Sequence, residues 1–505
     1  MESPNLTTLP ESDDDAHAGA RVEQITYLAL VWCRDEPWRI GEALVAPAPG
    51  LGGPSYFGRG LSGEGDPPKT HLMQLRPGLA VPCAPLSALT ISRYQVRLQS
   101  AQDTGLLLEN VGRAPMLHNG TEVSVADCQP GDLLQLGKQL LFLCVREPAP
   151  TRGPLAYPEF VFGEADAHGL VGESAPAWRL RQQIAFAALR RDSVLVQGDA
   201  GSGKELAVRA VHALSARSQL PLFASLSAGF PEALVDLELF GSSENYPSAG
   251  NPERQGLLAE ADGASLFVRE FERLPAHTQE QLLRSVEQGA RQRLGDRKPL
   301  GCDVRLLAAS GAQLGALSPR AAVGFGFTLR VPDLNARRRD IPLLVRHTLR
   351  REAERGDELA QRCFSAADWR AEPTLPLHIM RELLELHYTS HVRELKACLW
   401  QALAAEQLGI ASSAASLSSV DEAEKAADAA GASEPPEQLE AEDVLPSGLN
   451  AAFVQAALDQ NNGVLEATWR ALGLKNRFVL LRLIKRYDLE IRKRPALSSS
   501  RPSKR

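Results

Sequence analysis

The chain has 505 residues, of which 44% are hydrophobic and 23% charged, with a formal net charge of −7. That length exceeds what one hydrophobic core normally covers, the composition is ordinary for soluble globular protein, and the mild acidity excludes a chain that is basic throughout. Three domains are expected, with charge spread unevenly: residues 475–505 hold 11 Lys/Arg against 2 Asp/Glu, which makes the C-terminus a candidate nucleic-acid contact.

Residues 1–20 read as a disordered tail, acidic at Glu11, Asp13, Asp14 and Asp15 and without an apolar segment. No run of about 18 apolar residues follows anywhere, so neither a signal peptide nor a membrane span is expected. Over 21–147 short β-rich runs (Gln24 to Trp32, Thr90 to Gln99, Leu106 to Glu109, Leu133 to Val145) are punctuated by Gly and Pro, the pattern of an all-β sandwich. Pro148, Pro150 and Pro154 mark a linker over 148–168. From 169 to 335 strands alternate with helical patterns. Ser193 to Gln197, Leu222 to Ser225, Ser265 to Val268 and Val304 to Ala308 read as buried parallel strands, with Glu205 to Ser215 and Thr278 to Gln288 as helices between them. This is a three-layer α/β domain. A helical region over 336–410, a low-complexity tether over 411–446, a small helical unit over 447–491 and a basic tail over 492–505 complete the multidomain α+β chain.

The cysteines (Cys33, Cys83, Cys128, Cys144, Cys302, Cys363 and Cys398) are odd in number and never spaced C-x-x-C, and His168, His212, His277 and His391 form no ligand spacing. No disulfide framework and no metal site are expected, and a reducing cytoplasm fits best.

The run Gly198-Asp199-Ala200-Gly201-Ser202-Gly203-Lys204, between a strand and a helix that opens with Glu205, has the build of a phosphate cradle. Backbone N–H groups and the helix N-terminus would surround the phosphates, with Lys204 reaching the terminal ones. Together with Asp236-Leu-Glu-Leu-Phe-Gly241, Leu258 to Phe267, Asp303-Val-Arg-Leu-Leu-Ala-Ala309, Arg338-Arg-Asp-Ile-Pro342 and Val392-Arg-Glu-Leu395, it resembles the AAA+ module of bacterial sigma-54 activators. The resemblance implies ATP or ADP as ligand, Arg393 as a second-sensor arginine, and a helical lid over 336–410. The departures fall on the chemistry. The family's Asp-Glu pair is Arg269-Glu270, so Glu270 is kept in a site expected to be inactive and Mg²⁺ loses its usual ligand. The polar sensor after Ala309 is Ser310-Gly311, the arginine-finger region reads Ala321 to Phe327 without arginine, and the GAFTGA loop that grips the sigma factor is Asn245-Tyr-Pro-Ser-Ala-Gly250. An arginine finger alone is worth about 10³ to 10⁵ in rate, and phosphoryl transfer loses charge stabilisation without its cation. Nucleotide binding without useful turnover is expected, with Arg269 taking over part of the metal's electrostatic role or being drift on a dead site.

Phe57-Gly-Arg59-Gly60, Ile91-Ser92-Arg93-Tyr-Gln95, Asn110-Val-Gly112, His118-Asn119-Gly120 and Pro130-Gly-Asp132 come in the order of a forkhead-associated (FHA) domain, which the sandwich resembles. The resemblance implies a phosphothreonine-peptide site at Arg59, Ser92, Arg93 and Asn119, in which an arginine fork suits phosphate. Gln95 replaces the family's histidine and is expected to alter internal support. At the C-terminus, Glu466 to Leu474 followed by Asn476-Arg477 and Lys485-Arg486 resembles the Fis-type helix-turn-helix. Lys475, Asn476, Arg477, Arg482, Lys485 and Arg486 are the implied DNA contacts.

The reading is a cytoplasmic transcription regulator, taking a phosphorylated-protein input, binding DNA, and working as a homo- or hetero-oligomer. Sigma-54 polymerase is a further candidate partner. An active ATPase remodelling that polymerase, and a phosphoprotein adaptor or non-catalytic subunit in a mixed AAA+ ring, remain open.

Overall fold

The computed structural model describes residues 23–47, 53–101, 105–150, 157–226, 234–311, 317–365, 371–409 and 455. The tail over 1–20, the tether, and, Gln455 apart, the helix-turn-helix and basic tail lie outside the described residues, and with them Lys475, Asn476, Arg477, Arg482, Lys485 and Arg486. The chain divides into two compact units, Met1–Asp421 and Glu422–Arg505.

In that first unit the N-terminal strands build two antiparallel sheets. Ser55–Phe57, Val96–Ser100, Leu106–Asn110 and Val125–Cys128 form the smaller, four-stranded one. The larger, eight-stranded sheet is centred on Gln24–Cys33 paired with Leu140–Pro148. The apolar stretch expected as one run from 133 to 145 is a hairpin, Leu133–Leu136 and Leu140–Pro148, turning at Gly137 with φ +54°. Likewise 90–95 is a loop rather than the start of a strand, which places Ser92 and Arg93 at a sandwich rim.

Side chains alternate across a strand, and both faces of the central pair are covered. Leu28, Leu30, Leu140, Phe142 and Cys144 enter the sandwich core with Phe57, Leu98 and Leu108. Val31, Leu141 and Leu143 face the other way, into a core shared with lid residues Leu343, Ile379, Met380 and Leu383. A register shift between Leu30 and Trp32, a bulge that re-aims side chains, brings Trp32 to that outer face, where its Nε1 donates to the Leu375 carbonyl at 2.8 Å.

The α/β subdomain is a five-stranded parallel sheet in the order Leu222–Leu226, Ser265–Arg269, Arg305–Ser310, Val194–Gln197, Phe327–Arg330. Its near-continuous apolar strands are those of a sheet buried on both faces. Val194, Val196, Phe267, Leu307 and Ala309 meet helices Ala175–Leu189 and Lys204–Ala213 on one face. Leu195, Leu266, Val268, Leu306 and Ala308 meet Leu239, Phe240, Leu282 and Leu283 on the other. The fifth strand, Phe327–Arg330, was not among the strands expected. The lid carries helices Ile341–Glu354, Leu377–Glu385 and His391–Leu408.

A strap over 157–174 fastens these parts. Asp340 accepts from Glu173 N, Ser174 N and Ser174 Oγ at 2.9, 3.0 and 2.5 Å, while Arg350 Nη1 donates to both Glu164 oxygens at 2.7 Å. Arg76 of the sandwich donates to Glu173 at 2.5 and 3.0 Å and lies over the rings of Phe160, Phe162 and Trp178.

Candidate functional site: a phosphate cradle and a basic rim

The cradle runs from the end of strand Val194–Gln197 to helix Lys204–Ala213, and its glycines take backbone conformations closed to most residues. Gly201 has φ +75° and Gly203 φ +104°, a region that costs little only without a Cβ. Space at Gly201 is equally tight, since an added Cβ would lie 2.3 Å from the Ser390 carbonyl oxygen. The cradle is thus seated against the start of the lid helix that carries Arg393. His391, with φ +51°, approaches Asp199 Oδ2 with Nε2 at 3.3 Å, and Arg337 donates to the Ser202 carbonyl at 3.3 Å. Lys204 Nζ donates to the Gly198 and Asp199 carbonyls at 2.7 and 2.9 Å. Burial pushes the Lys204 ammonium down, against the fields of Glu272 and Asp199.

Arg269 ends strand Ser265–Arg269 beside this cradle. Its Nη2 donates to Glu205 Oε1, a carboxylate that also receives Arg209 Nη2 at 3.0 Å. Glu205 stands in the first turn of the cradle helix, so the pair partly neutralises the charge that Arg269 would otherwise turn toward a phosphate. The idea that Arg269 stands in for a metal loses support from this geometry. Glu270 has φ +49° and its Oε2 lies 3.5 Å from Arg273 Nε.

Glu272, absent from the sequence-based set, joins the site. Its Oε1 accepts from Gly311 N at 2.9 Å. Gly311 follows Ser310, which is in register with Gln197, the residue before Gly198. Buried polar atoms without a hydrogen-bond partner among the described residues gather here: Gln197 Nε2, Ser202 Oγ, Ser310 Oγ and Glu272 Oε2. Such atoms are rare in folded proteins and point to a ligand, ion or water. A carboxylate three residues beyond Arg269 was visible in the sequence, but only the short 3-10 turn Phe271–Arg273 directs it back to the sheet edge.

At the sandwich rim, Arg59 Nε donates to the Ile91 carbonyl at 3.3 Å, and Ser92 Oγ accepts from Arg113 N at 2.9 Å. Lys69 donates to the Arg59 and Gly60 carbonyls at 2.8 and 3.0 Å and lies 4.7 Å from the Tyr94 ring centroid. Burial lowers the Lys69 pKa, and Arg93 and Arg59 act in the same direction. The rim therefore brings the cations Arg59, Lys69 and Arg93 within each other's field, with the Arg113 backbone at Ser92. Gln95, fully buried, ties it together: Oε1 accepts from Ser92 N at 3.0 Å and Nε2 donates to Asn110 Oδ1 and the Ala114 carbonyl at 2.8 Å. Asn119 is placed differently. It sits in the turn between Met116–His118 and Thr121–Glu122, its Nδ2 donating to Asp132 and its Oδ1 accepting from Leu133 N, both at 2.8 Å. A Cβ on neighbouring Gly120 would lie 2.5 Å from Arg381 of the lid.

Compared with known families, residues 170–322 match the Sigma-54 interaction domain. That segment is similar to the sigma-54 interaction domain. The chain is 38% identical over 198 residues to the transcriptional regulatory protein ZraR of Escherichia coli (strain K12), covering 38% of this chain and 45% of that protein. It is also 38% identical over 188 residues to the transcriptional regulator VasH of Vibrio cholerae serotype O1, covering 36% of each. The chain thus spans about half or less of these curated relatives. Among solved structures, NtrX from Brucella abortus aligns over 63% of this chain and 69% of its own at 23% identity, with a TM-score of 0.39.

Within the matched segment, the loop where the resemblance places the sigma-contacting residues folds on itself. Asn245 N donates to the Asn251 carbonyl, Asn245 Oδ1 accepts from Gly250 N, both at 2.8 Å, and Asn251 Nδ2 donates to Ser248 Oγ at 3.0 Å. Arg293 pairs with Glu253 and, at 2.6 Å, with Asp296, which staples the loop to the neighbouring hairpin. Immediately before the finger region, Arg320 pairs with Glu287 at 3.1 Å. Among the described residues no group of three or more His, Cys, Asp or Glu is arranged to hold a metal by itself, and no helix is long and apolar enough to cross a membrane.

Proposed function

We propose that this protein is a DNA-binding transcription regulator whose sigma-54 interaction domain binds ATP or ADP without useful turnover. The sandwich reads a phosphothreonine-containing partner, and the basic C-terminal residues Lys475, Asn476, Arg477, Arg482, Lys485 and Arg486 contact DNA. The observation that carries the reading is the pairing of Arg269 with Glu205 beside a cradle whose glycines and Lys204 are in place. Binding geometry is kept, while a cation now fills the position where metal-assisted hydrolysis needs an acid. The self-folded 244–251 loop supports the same reading, because contact with sigma-54 polymerase would need residues this loop lacks.

Purified full-length protein is expected to bind ATP or ADP, to lose that binding in Lys204→Ala, and to show no sustained hydrolysis. Steady-state turnover at rates of ~1 per second or more overturns it. For the rim, Arg59→Ala is expected to weaken binding of a phosphothreonine peptide by about tenfold or more, the loss of one or two charge-assisted hydrogen bonds. Equal affinity of the wild type for the unphosphorylated peptide refutes phosphate recognition.

A further inference from the structure

Position 269 lacks the acid that would hold a metal, yet a carboxylate has been carried to the same mouth by another route. Strands Val194–Gln197 and Arg305–Ser310 are parallel neighbours with Gln197 level with Ser310. Gly198, which opens the cradle, and Gly311 therefore leave the sheet side by side. Gly311 N holds Glu272 Oε1 at 2.9 Å, and the absent side chain at 311 matters, since a Cβ there would already lie 3.3 Å from that oxygen. The second oxygen, Oε2, is buried with no hydrogen-bond partner among the described residues, as is the adjoining Ser310 Oγ. Of the acidic groups acting on the Lys204 ammonium, Glu272 ranks before Asp199 and Glu270.

The charges around the cradle show what such an oxygen is suited to. Arg269 is paired with Glu205, while Lys204 stands in the fields of Glu272, Asp199, Glu270 and Arg393. An acid beside phosphate is repulsive unless a cation sits between them. Mg²⁺ is commonly held by one or two carboxylates together with substrate phosphates, keeping several waters. A hard, solvent-shielded carboxylate oxygen at the strand edge fits that donor set.

We propose that Glu272 supplies the carboxylate that receives the divalent cation of a metal–nucleotide at this cradle, in place of the acid missing at position 269. The inference rests on the nucleotide-binding reading above and makes that binding metal-dependent without restoring turnover.

The test is the affinity of full-length protein for a fluorescent ADP or ATP analogue in Mg²⁺ and in EDTA. Wild type is expected to bind about tenfold or more tightly in Mg²⁺. Glu272→Gln keeps an acceptor for Gly311 N and is expected to close most of that gap, binding in EDTA at least as well as wild type because a negative charge has left the phosphates. Glu272→Asp, which withdraws the carboxylate by one methylene, is expected to narrow it. Equal wild-type affinity in both buffers, or an unchanged gap in both variants, overturns the assignment. Wild-type protein with a normal circular dichroism spectrum that binds in neither buffer overturns the nucleotide reading itself, and the inference with it.

Discussion

Gly201 shows how a single position links backbone to function. Its φ of +75° and the 2.3 Å approach of a would-be Cβ to the Ser390 carbonyl mean that any side chain must push the cradle away from the lid. Gly201→Ala is expected to weaken nucleotide binding by about tenfold or more, while strain of this kind costs only ~1–3 kcal/mol of stability. Fluorescence titration alongside thermal melting separates the two effects. Glu147 offers a contrasting residue-scale test. Its carboxylate accepts from Tyr27 Oη at 2.8 Å and Ala175 N at 3.1 Å, with Arg339 Nη1 at 3.5 Å. Burial and the nearby Asp340 push its pKa up to about 8, against the Ala175 N–H. A raised acid pKa means that the folded state holds more protons than the unfolded one between the ordinary value of 4.5 and about 8. Stability from this group therefore falls as pH rises through that window. Glu147→Gln is expected to flatten the pH dependence of the melting temperature and to gain on wild type at pH ~8 relative to pH ~5.

At the scale of elements, the rim loops are held by a side chain inside the sandwich. Gln95 joins the loop at Ser92 to the one at Asn110–Ala114, and Gly112 must lack a Cβ because one would lie 2.5 Å from the Gln95 amide. Truncation strands buried donors and acceptors in both loops. Gln95→Ala is expected to cost about 1–3 kcal/mol, read by chemical denaturation, and to weaken phosphopeptide binding although Gln95 itself is fully buried. The sequence marked this position as a departure in internal support, and the hydrogen bonds show what it supports. Asn119 is legible only in part. An Asn-Gly pair is legible as a turn, but not which turn of a sandwich faces a ligand, since that depends on how two sheets close on each other.

For the compact unit as a whole, the sandwich and the lid share one apolar core. Trp32 belongs to that core, 9% exposed and bonded to the Leu375 carbonyl, and ties the sandwich to the lid. Trp32→Ala is expected to cost about 3–5 kcal/mol and, in scanning calorimetry, to split one cooperative transition of sandwich and lid into two. A single unsplit transition in the variant would count against the shared core as the coupling element. The signal was present in Leu28-Ala-Leu-Val-Trp32 and Leu140-Leu-Phe-Leu143, which are apolar at every position. A sandwich strand with one wet face alternates, so an unbroken run announces a second covered face without saying what covers it.

Local chemistry determined much of this protein from its sequence: glycine spacing defined the cradle, periodicity defined the sheets, and Arg269 marked a departure from the acid that the resemblance led one to expect. These are legible because backbone conformation and side-chain alternation are properties of neighbours along the chain. Only the tertiary structure decided where charge ends up. It paired Arg269 with Glu205, brought Glu272 to Gly311, and set the outer face of the sandwich on the lid. Each joins residues far apart in sequence or turned by a local bend, and electrostatic and apolar contacts depend on distance in space, which sequence spacing does not supply.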